Sequence, residues 1–391
     1  PLGGDNRIDG CGGWGDAATI VPWEMYETYG DIRILKRCYD MMKKWVEYQN
    51  STDRRNYGVR TVDGKEVPEQ SDLATIPYIQ VQQCRGDHLT YDNSTPYIYS
   101  ATAYAAHSAD ILRRTAYILG KTDDEKRYSE LFENIKRAFN DAWVNDDGSV
   151  SYYGEVSSQT AHCGESVALD GSVTRYTYYA ENTPHCPSQT AYALAVDFDL
   201  IPKDKLKNTR EYFKNSILRN NGKLTVGFLG ISHLAPALSK VGLDDLAFKL
   251  LEQEDNPSWL YSVKNGATTI WERWNSYIAE TGTFGDVSMN SFNHYSYGAI
   301  GQWFFTDILG IRPVEFGYKS FMLAPKFGGG LTYAKGSFTS PYGKISSAWK
   351  LHDGKFTYDC TVPTNTTATL KLPNDDIHTL VDGSYHFEIN V

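Results

Sequence analysis

From residue 16 to about 310 the apolar residues recur at helical spacing, and beyond Gly310-Ile311-Arg312-Pro313 they alternate instead. A chain with such a change of period must build a helical body and then a β body, because the two patterns bury different faces. Residues 16–29 and 31–49 carry apolar side chains at i, i+3 and i+4 and are broken at Gly30. Further helices are predicted at about 97–119, 123–143, 188–197, 204–218, 228–239, 243–254 and 293–309, with Gly120-Lys121-Thr122 read as a C-cap followed by an N-cap. Their pairing across short connections is that of stacked helical hairpins. About nine helices are fewer than a closed ring of six hairpins holds, so the helical body is expected to lack its front end. In the last part, segments such as 344–349 and 356–362 are separated by turn signals at Gly328-Gly329-Gly330, Pro341-Tyr342-Gly343, Asp353-Gly354 and Asp382-Gly383. These predict an antiparallel β-sandwich, with the helical domain over 1–312 and the sandwich over 313–391.

The bulk properties narrow the class. A length of 391 residues exceeds one ordinary core and agrees with two domains. No stretch approaches the roughly 20 apolar residues that span a bilayer. The net charge of −10, with acidic and basic residues interspersed and no basic stripe, argues against a nucleic-acid partner. The six cysteines form no C-x-x-C pair, so no metal site is expected. Cys163 and Cys186 bracket a polar, Tyr-rich stretch and would be bridged in an exported protein, with free thiols the equal alternative. The chain begins with Pro1, so its true N-terminus is expected elsewhere; the compartment stays open, with a periplasmic or secreted location favoured over a cytoplasmic one. The oligomeric state is not legible. Two stretches, about 52–96 and 146–187, lack a clear period, and the second reads as an inserted loop or small hairpin.

Several segments carry groups able to do chemistry. The chain is rich in aromatics, with 28 Tyr, 16 Phe and 9 Trp, which suits either a large helical core or a surface for the apolar faces of sugars. Between Gly266 and Ser276, Glu272 stands between Trp271 and Trp274 and beside Arg273. The indoles would shield its carboxylate and raise its pKa while the arginine would lower it, a tuning that suits general acid or base work. The structural alternative is a buried Glu–Arg pair fastening a loop. Asn290-Ser291-Phe292-Asn293-His294-Tyr295 is expected to open the last helix, with Asn293 and His294 placed either to hold hydroxyls or simply to cap. Gly12-Gly13-Trp14-Gly15-Asp16 puts Trp14 on a flexible turn and Asp16 at an N-cap, with an added sugar contact as its functional alternative. Asp5-Asn6-Arg7-Ile8-Asp9 is an acidic pair around one arginine: a solvated turn, or two carboxyls that divide acid work from positioning. Arg85-Gly86-Asp87-His88-Leu89 reads as a turn with polar groups. No G-x-S-x-G, Gly-rich phosphate loop or H-E-x-x-H occurs, so serine acyl transfer, phosphoryl transfer and metalloprotease chemistry have no support.

Taken in order, these segments resemble bacterial α-L-rhamnosidases of glycoside hydrolase family 78. The resemblance rests on Gly13-Trp14-Gly15-Asp16-Ala17-Ala18, Pro22-Trp23 and Tyr29-Gly30-Asp31. It continues through Thr102-Ala103-Tyr104, His107-Ser108-Ala109-Asp110, Gln189-Thr190-Ala191-Tyr192 and Gly227-Phe228-Leu229-Gly230. Its most specific part is Thr268-Thr269-Ile270-Trp271-Glu272-Arg273-Trp274, followed by Asn293-His294-Tyr295 and, in the β region, by Ala324-Pro325 and Ser340-Pro341-Tyr342-Gly343.

The resemblance implies an (α/α)6 barrel followed by a β-sandwich, an inverting mechanism, and no cofactor. It implies Glu272 as the base that activates water, Trp14 stacking on rhamnose and His294 bonding to its hydroxyls. Asp16, Trp271 and Trp274 are carried over as further substrate-binding positions. Two departures stand out. The family places a Glu as the acid before the Gly-Trp segment, where this chain offers Asp9 as candidate acid and Asp5 as its positioning partner. The family often has Trp where this chain has His88, which would reshape the pocket. The insertion at about 154–187 is longer than the family pattern and is expected to rim the active site and choose the aglycone. The main expectation is therefore a hydrolase of terminal α-L-rhamnosides in plant glycosides or polysaccharides. A non-catalytic sugar-binding remnant and a polysaccharide lyase on a similar toroid are the competing readings.

Overall fold

Two kinds of helix make the first domain, and their sequences separate them. The computed structural model describes residues 10–51, 59–62, 65–68, 77–80, 86–91, 95–151, 163–167, 173–177 and 187–391. The helices are α1 (Ala17–Tyr29), α2 (Ile32–Gln49), α3 (Tyr97–Ile118), α4 (Thr122–Trp143), α5 (Gln189–Asp197), α6 (Leu206–Leu218), α7 (Phe228–Lys240), α8 (Asp244–Leu251), α9 (Trp259–Lys264) and α10 (Ile300–Trp303). In α5 every residue from Gln189 to Val196 is buried, and α3 is buried almost without interruption from Tyr99 to Ala106. Small residues such as Ala101, Ala103, Ala105 and Ala106 let neighbours approach α3 from all sides. By contrast α2 and α4 bury one stripe each, Leu35-Tyr39-Met42-Val46 and Tyr128-Phe132-Ile135-Phe139. Helices apolar all round belong inside and striped ones outside. Accordingly α1, α3, α5, α7 and α10 touch in that order as an inner row, and each of the first four is backed by the helix that follows it.

The N-terminal ends of this inner row converge. Thr95 and Ser188, which precede α3 and α5, share a hydrogen bond of 2.6 Å between their hydroxyls. The starts of α5 and α7 meet on Asp87, described below. Caps explain several ends: Ser188 accepts from the Ala191 N–H, Ser258 accepts from the Tyr261 N–H, and Gly30 closes α1 in the left-handed region.

Three expectations need correction. Thr122 is not a cap but the first residue of α4, whose first turn carries Asp123, Asp124 and Glu125 against the helix dipole. The short helix α9 follows Pro257-Ser258 and was not legible as a period. The last helix does not begin at 293: a 3-10 turn spans Ser296–Ala299, then α10, then a π-helical turn Phe304–Ile308.

Short hairpins interrupt the helices: β1 (Val59–Val62) with β2 (Lys65–Pro68), β3 (Cys163–Val167) with β4 (Val173–Thr177), and β5 (Tyr277–Ile278) with β6 (Thr283–Phe284). The β3–β4 pair is the hairpin allowed for within the 146–187 stretch. The expectation of a Cys163–Cys186 bridge lies outside the described residues, as do Asp5 and Asp9. Among the described residues Cys38 and Cys360 are free thiols, and burial pushes Cys360 up to about 12.

The second domain holds β7 (Ile311–Pro313), β8 (Ser320–Leu323), β9 (Tyr333–Ser340), β10 (Gly343–His352), β11 (Lys355–Val362), β12 (Thr367–Lys371), β13 (Ile377–Leu380) and β14 (Gly383–Asn390). One sheet runs β14-β11-β10-β9 and the other β13-β12-β8-β7. Alternation works as the sequence predicts: Phe356, Tyr358, Cys360 and Val362 of β11 all point inward. The sheets are not wholly antiparallel, because β12 pairs with β8 in parallel, Ala368 opposite Phe321. The chain builds β9, β10 and β11 in the other sheet before it returns, and that crossover reverses the sense of the pairing. The domain is fastened to the helices by buried polar ties. Trp349 donates its indole N–H to the Ile308 carbonyl at 2.9 Å, Ser347 donates to the Leu309 carbonyl at 2.7 Å, and Lys326 bridges Asp244 and Asp307.

Inside the helical body, away from the converging helix ends, His233 lies 2.6 Å from the Asp197 carboxylate and 3.2 Å from the Tyr104 hydroxyl. His107 lies flat on Phe198, with 4.1 Å between ring centres. Burial, helped by the neighbouring His233, pushes the His107 imidazole from 6.5 down to about 3. Over that window the unfolded chain binds a proton that the folded ring refuses, so the fold loses stability as pH falls from 6.5 toward 3. Replacing His107 by Gln is expected to flatten this dependence, read as a smaller difference between urea midpoints at about pH 7 and about pH 5.

Candidate active site

Glu272 sits in an irregular segment after α9, and a second loop running past Ser291 holds it. The two loops are zipped by backbone bonds: Glu272 N–H donates to the Ser291 carbonyl and His294 N–H to the Ile270 carbonyl, both at 2.8 Å. This pairing removes residues 290–294 from the last helix. Asn293 and His294 therefore stand before the helical turns, and of the two it is His294 whose Nδ1 accepts the N–H of Ser296, the first residue of the 3-10 turn, at 3.3 Å. One oxygen of the half-buried Glu272 carboxylate accepts the Ser291 N–H at 2.7 Å. Among the described residues no ion pair is made to it.

Arg273 is the reason. Its guanidinium donates to Asp286 at 3.0 Å and to the Met289 carbonyl at 2.8 Å. Burial raises Asp286, but its bonds with Ser288 and the charge of Arg273 outweigh this and leave its pKa lowered. The Glu272–Arg273 pair of the structural alternative is thus replaced by Arg273–Asp286, which fastens the second loop and leaves Glu272 open.

The two tryptophans are committed to the scaffold more than the sequence suggests. Trp274 is only 3% exposed, stacks on Tyr297 with centres 3.8 Å apart, and donates its N–H to the Val226 carbonyl at 2.8 Å. These contacts fix the loop against the start of α7. Trp271 is 6% exposed and packs edge-on against Phe292. It borders two shallow cavities, of about 390 and about 250 Å³, that share Ala267, Thr268 and Thr269.

His88 and His294, far apart in sequence, meet on one ring. His294 stacks on Phe228 at 4.8 Å, and His88 meets the same ring edge-on at 5.5 Å. Tyr297 packs against Phe228 as well and donates to the Leu89 carbonyl at 3.1 Å. Trp14, half-buried, rides on the turn whose Gly13 has φ +84° and lies so close to Leu229, the next residue along, that a Cβ there would clash at 2.8 Å. The start of α7 therefore gathers Trp14's turn, His88 and His294.

Asp16 behaves differently from a cap. Its carboxylate makes no bond into α1; fully buried, it accepts from Gly13 N–H at 2.7 Å, Trp45 at 2.9 Å, Gln49 at 3.0 Å and the Ser108 hydroxyl. Burial pushes its pKa up against those four donors. These bonds hold the Trp14 turn to α2 and α3.

Asp87, read from sequence as part of a polar turn, is the counterpart on the other side. It accepts from Gly227 N–H at 2.7 Å, from Leu229 and Gly230 N–H at 2.9 Å each, and from the Thr190 hydroxyl. Three of these are orphan donors at the start of α7, so Asp87 caps that helix from 140 or more residues away in the chain.

A layered helical body whose inner helix ends gather one open carboxylate, two histidines and a tryptophan turn, with a two-sheet domain behind, is the build of a six-hairpin glycosidase. Residues 3–308 match the bacterial alpha-L-rhamnosidase six-hairpin glycosidase domain, and residues 310–387 match the bacterial alpha-L-rhamnosidase C-terminal domain. The chain belongs to the bacterial α-L-rhamnosidase family. An alpha-L-rhamnosidase of Formosa agariphila is 35% identical over 370 residues, which is 94% of this chain and 34% of that protein. The crystal structure of Streptomyces avermitilis alpha-L-rhamnosidase complexed with L-rhamnose superposes with a TM-score of 0.80 at 32% identity, covering 100% of this chain and 34% of that one. Native α-L-rhamnosidase from Aspergillus terreus gives 0.78 at 27% identity, over 99% of this chain and 40% of that one. The chain thus spans about a third of the length of the curated relatives it matches.

Proposed function

We propose that this chain supplies the catalytic barrel and C-terminal domain of an inverting α-L-rhamnosidase that releases terminal rhamnose from plant glycosides or polysaccharides. In this reading the inner row of helices is part of an (α/α)6 ring over 1–312, with the sandwich over 313–391. The observation that carries it is the Glu272 carboxylate: held by one N–H, spared the neighbouring guanidinium, and carried on a loop that Trp274 pins to the Val226 carbonyl before α7. The relative solved with L-rhamnose bound supports the same sugar here.

Glu272 takes a proton from a water whose oxygen attacks the anomeric carbon. The bond from that carbon to the leaving oxygen breaks, and Asp9, with Asp5 as positioning partner, delivers a proton to that oxygen. An inverting pair needs its carboxyls about 6.5–9.5 Å apart so that the water fits between them. Trp14 stacks on the sugar's apolar face, His294 bonds to its hydroxyls, and His88 lines the same wall beside Phe228. Trp271, beside the base, walls its loop. The test is proton NMR of the full chain acting on a nitrophenyl α-L-rhamnoside. The first rhamnose formed is expected to be the β anomer; the α anomer would overturn inversion, and no rhamnose at all would overturn the assignment to rhamnosides.

A further inference from the structure

Asp286 divides its two carboxylate oxygens between two tasks. Oδ1 accepts from the Ser288 N–H at 2.8 Å, the Ser288 hydroxyl at 2.7 Å and the Met289 N–H at 3.3 Å, which closes a turn of the second loop. Oδ2 accepts from the Arg273 guanidinium at 3.0 Å. The turn therefore needs an acceptor at position 286 but not its charge. Among the described residues that charge is met by Arg273.

Arg273 is the group that needs it. Its side chain is only 19% exposed, so water is a poor substitute for a partner that is removed. Its other acceptor, the Met289 carbonyl at 2.8 Å, is neutral. A second carboxylate stands one residue back along the chain: Glu272, its Cα about 3.8 Å away. That carboxylate is half-buried and makes one bond among the described residues, from the Ser291 N–H. Both charges act on one buried group. Burial chiefly raises the Tyr297 hydroxyl, Asp87 and Glu272 add to the rise, and Arg273 opposes it. Tyr297 is thereby neutral, and Asp87 is enclosed by its four donors, so neither draws the guanidinium away. His88 and His294, set on Phe228, offer it no negative charge.

We propose that Asp286 is a positioning residue of the reaction: by holding the Arg273 guanidinium to the second loop, it keeps a latent inhibitor off the Glu272 carboxylate. The Glu272–Arg273 pair that the sequence allows is then the inactive arrangement of the loop, and Asp286 selects against it. The inference rests on Glu272 being the base of the rhamnosidase proposed above.

The test breaks one ion pair from either side, in the full chain. Asp286→Asn keeps an acceptor oxygen for Ser288 and Met289 but frees the guanidinium. Arg273→Gln removes the guanidinium itself. On a nitrophenyl α-L-rhamnoside, Asp286→Asn is expected to lower kcat about tenfold with KM little changed, because a base paired with a cation is a poorer proton acceptor. The acid limb of its kcat profile should also move to lower pH, since a neighbouring positive charge favours the ionised carboxylate. Arg273→Gln is expected to stay within about threefold of the parent, and adding it to Asp286→Asn should recover most of the lost kcat and return the limb. A merely structural ion pair predicts otherwise: both single variants fall alike, with lowered urea midpoints, and the double variant recovers nothing. That result overturns the positioning role and leaves the base in place. A parent protein that does not turn over the rhamnoside, or a Glu272→Gln variant that keeps its kcat, overturns the underlying reading and this inference with it.

Discussion

Turnover of a nitrophenyl α-L-rhamnoside is expected to fall by about a hundred- to ten-thousand-fold when Glu272 is replaced by Gln, the range that a positioned general base contributes. The loss should appear in kcat with little change in KM. Gln keeps the shape of the side chain and an oxygen for the Ser291 N–H, so the loops that frame the site stay zipped. What Gln cannot do is accept a proton from water, and that acceptance is made only in the transition state. A variant that kept its kcat would show that some other group activates the water. A variant that lost KM and kcat together, with a lowered urea midpoint, would place Glu272 in the scaffold.

The base loop shows how far residues alone can be read. A carboxylate between two indoles was visible in the chain, and so was the arginine that competes for it. Which partner that arginine takes was not visible, because Asp286 and the Met289 carbonyl approach only after the second loop folds back. The same loop explains the misplaced helix start. Residues 293–309 have helical spacing, but the N–H of His294 is claimed by Ile270, and backbone pairing between loops prevails over local preference. Periodicity located the change from helices to strands because it is a local property repeated many times. It missed the parallel β8–β12 pair, since parallel and antiparallel strands alternate alike. Of the site, His88 was legible as a polar residue on a turn and His294 as one at the opening of a helix. That one phenylalanine, Phe228, brings them together was not. Buried acids are the hardest case: Asp16 and Asp87 look like ordinary turn residues because every donor that defines them lies in another element or across a turn.

Removing one of those acids tests whether the site and the fold depend on the same contacts. Asp87→Ala is expected to cost about 3–5 kcal/mol of stability, the range for deleting one side of a buried, charge-assisted network. The cost arises from what remains. The N–H groups of Gly227, Leu229 and Gly230 and the Thr190 hydroxyl would be left buried with no acceptor. Water cannot easily replace the carboxylate, because the backbone there is already in close contact: a Cβ on Gly227 would lie 2.3 Å from the His88 carbonyl. Asp87→Asn keeps one acceptor oxygen and should lose roughly half as much, since its amide turns a donor toward donors. Both are read as shifts of the urea midpoint at unchanged slope. The functional consequence follows from the same geometry. Phe228 lies between two of the residues Asp87 holds, and it is the ring on which His88 and His294 are set. An Asp87→Asn protein that remains folded should therefore lose rhamnoside affinity even though the carboxylate has no open position for a ligand. An unchanged KM in such a protein would mean that the histidine pair is held by its own loops and not by the start of α7.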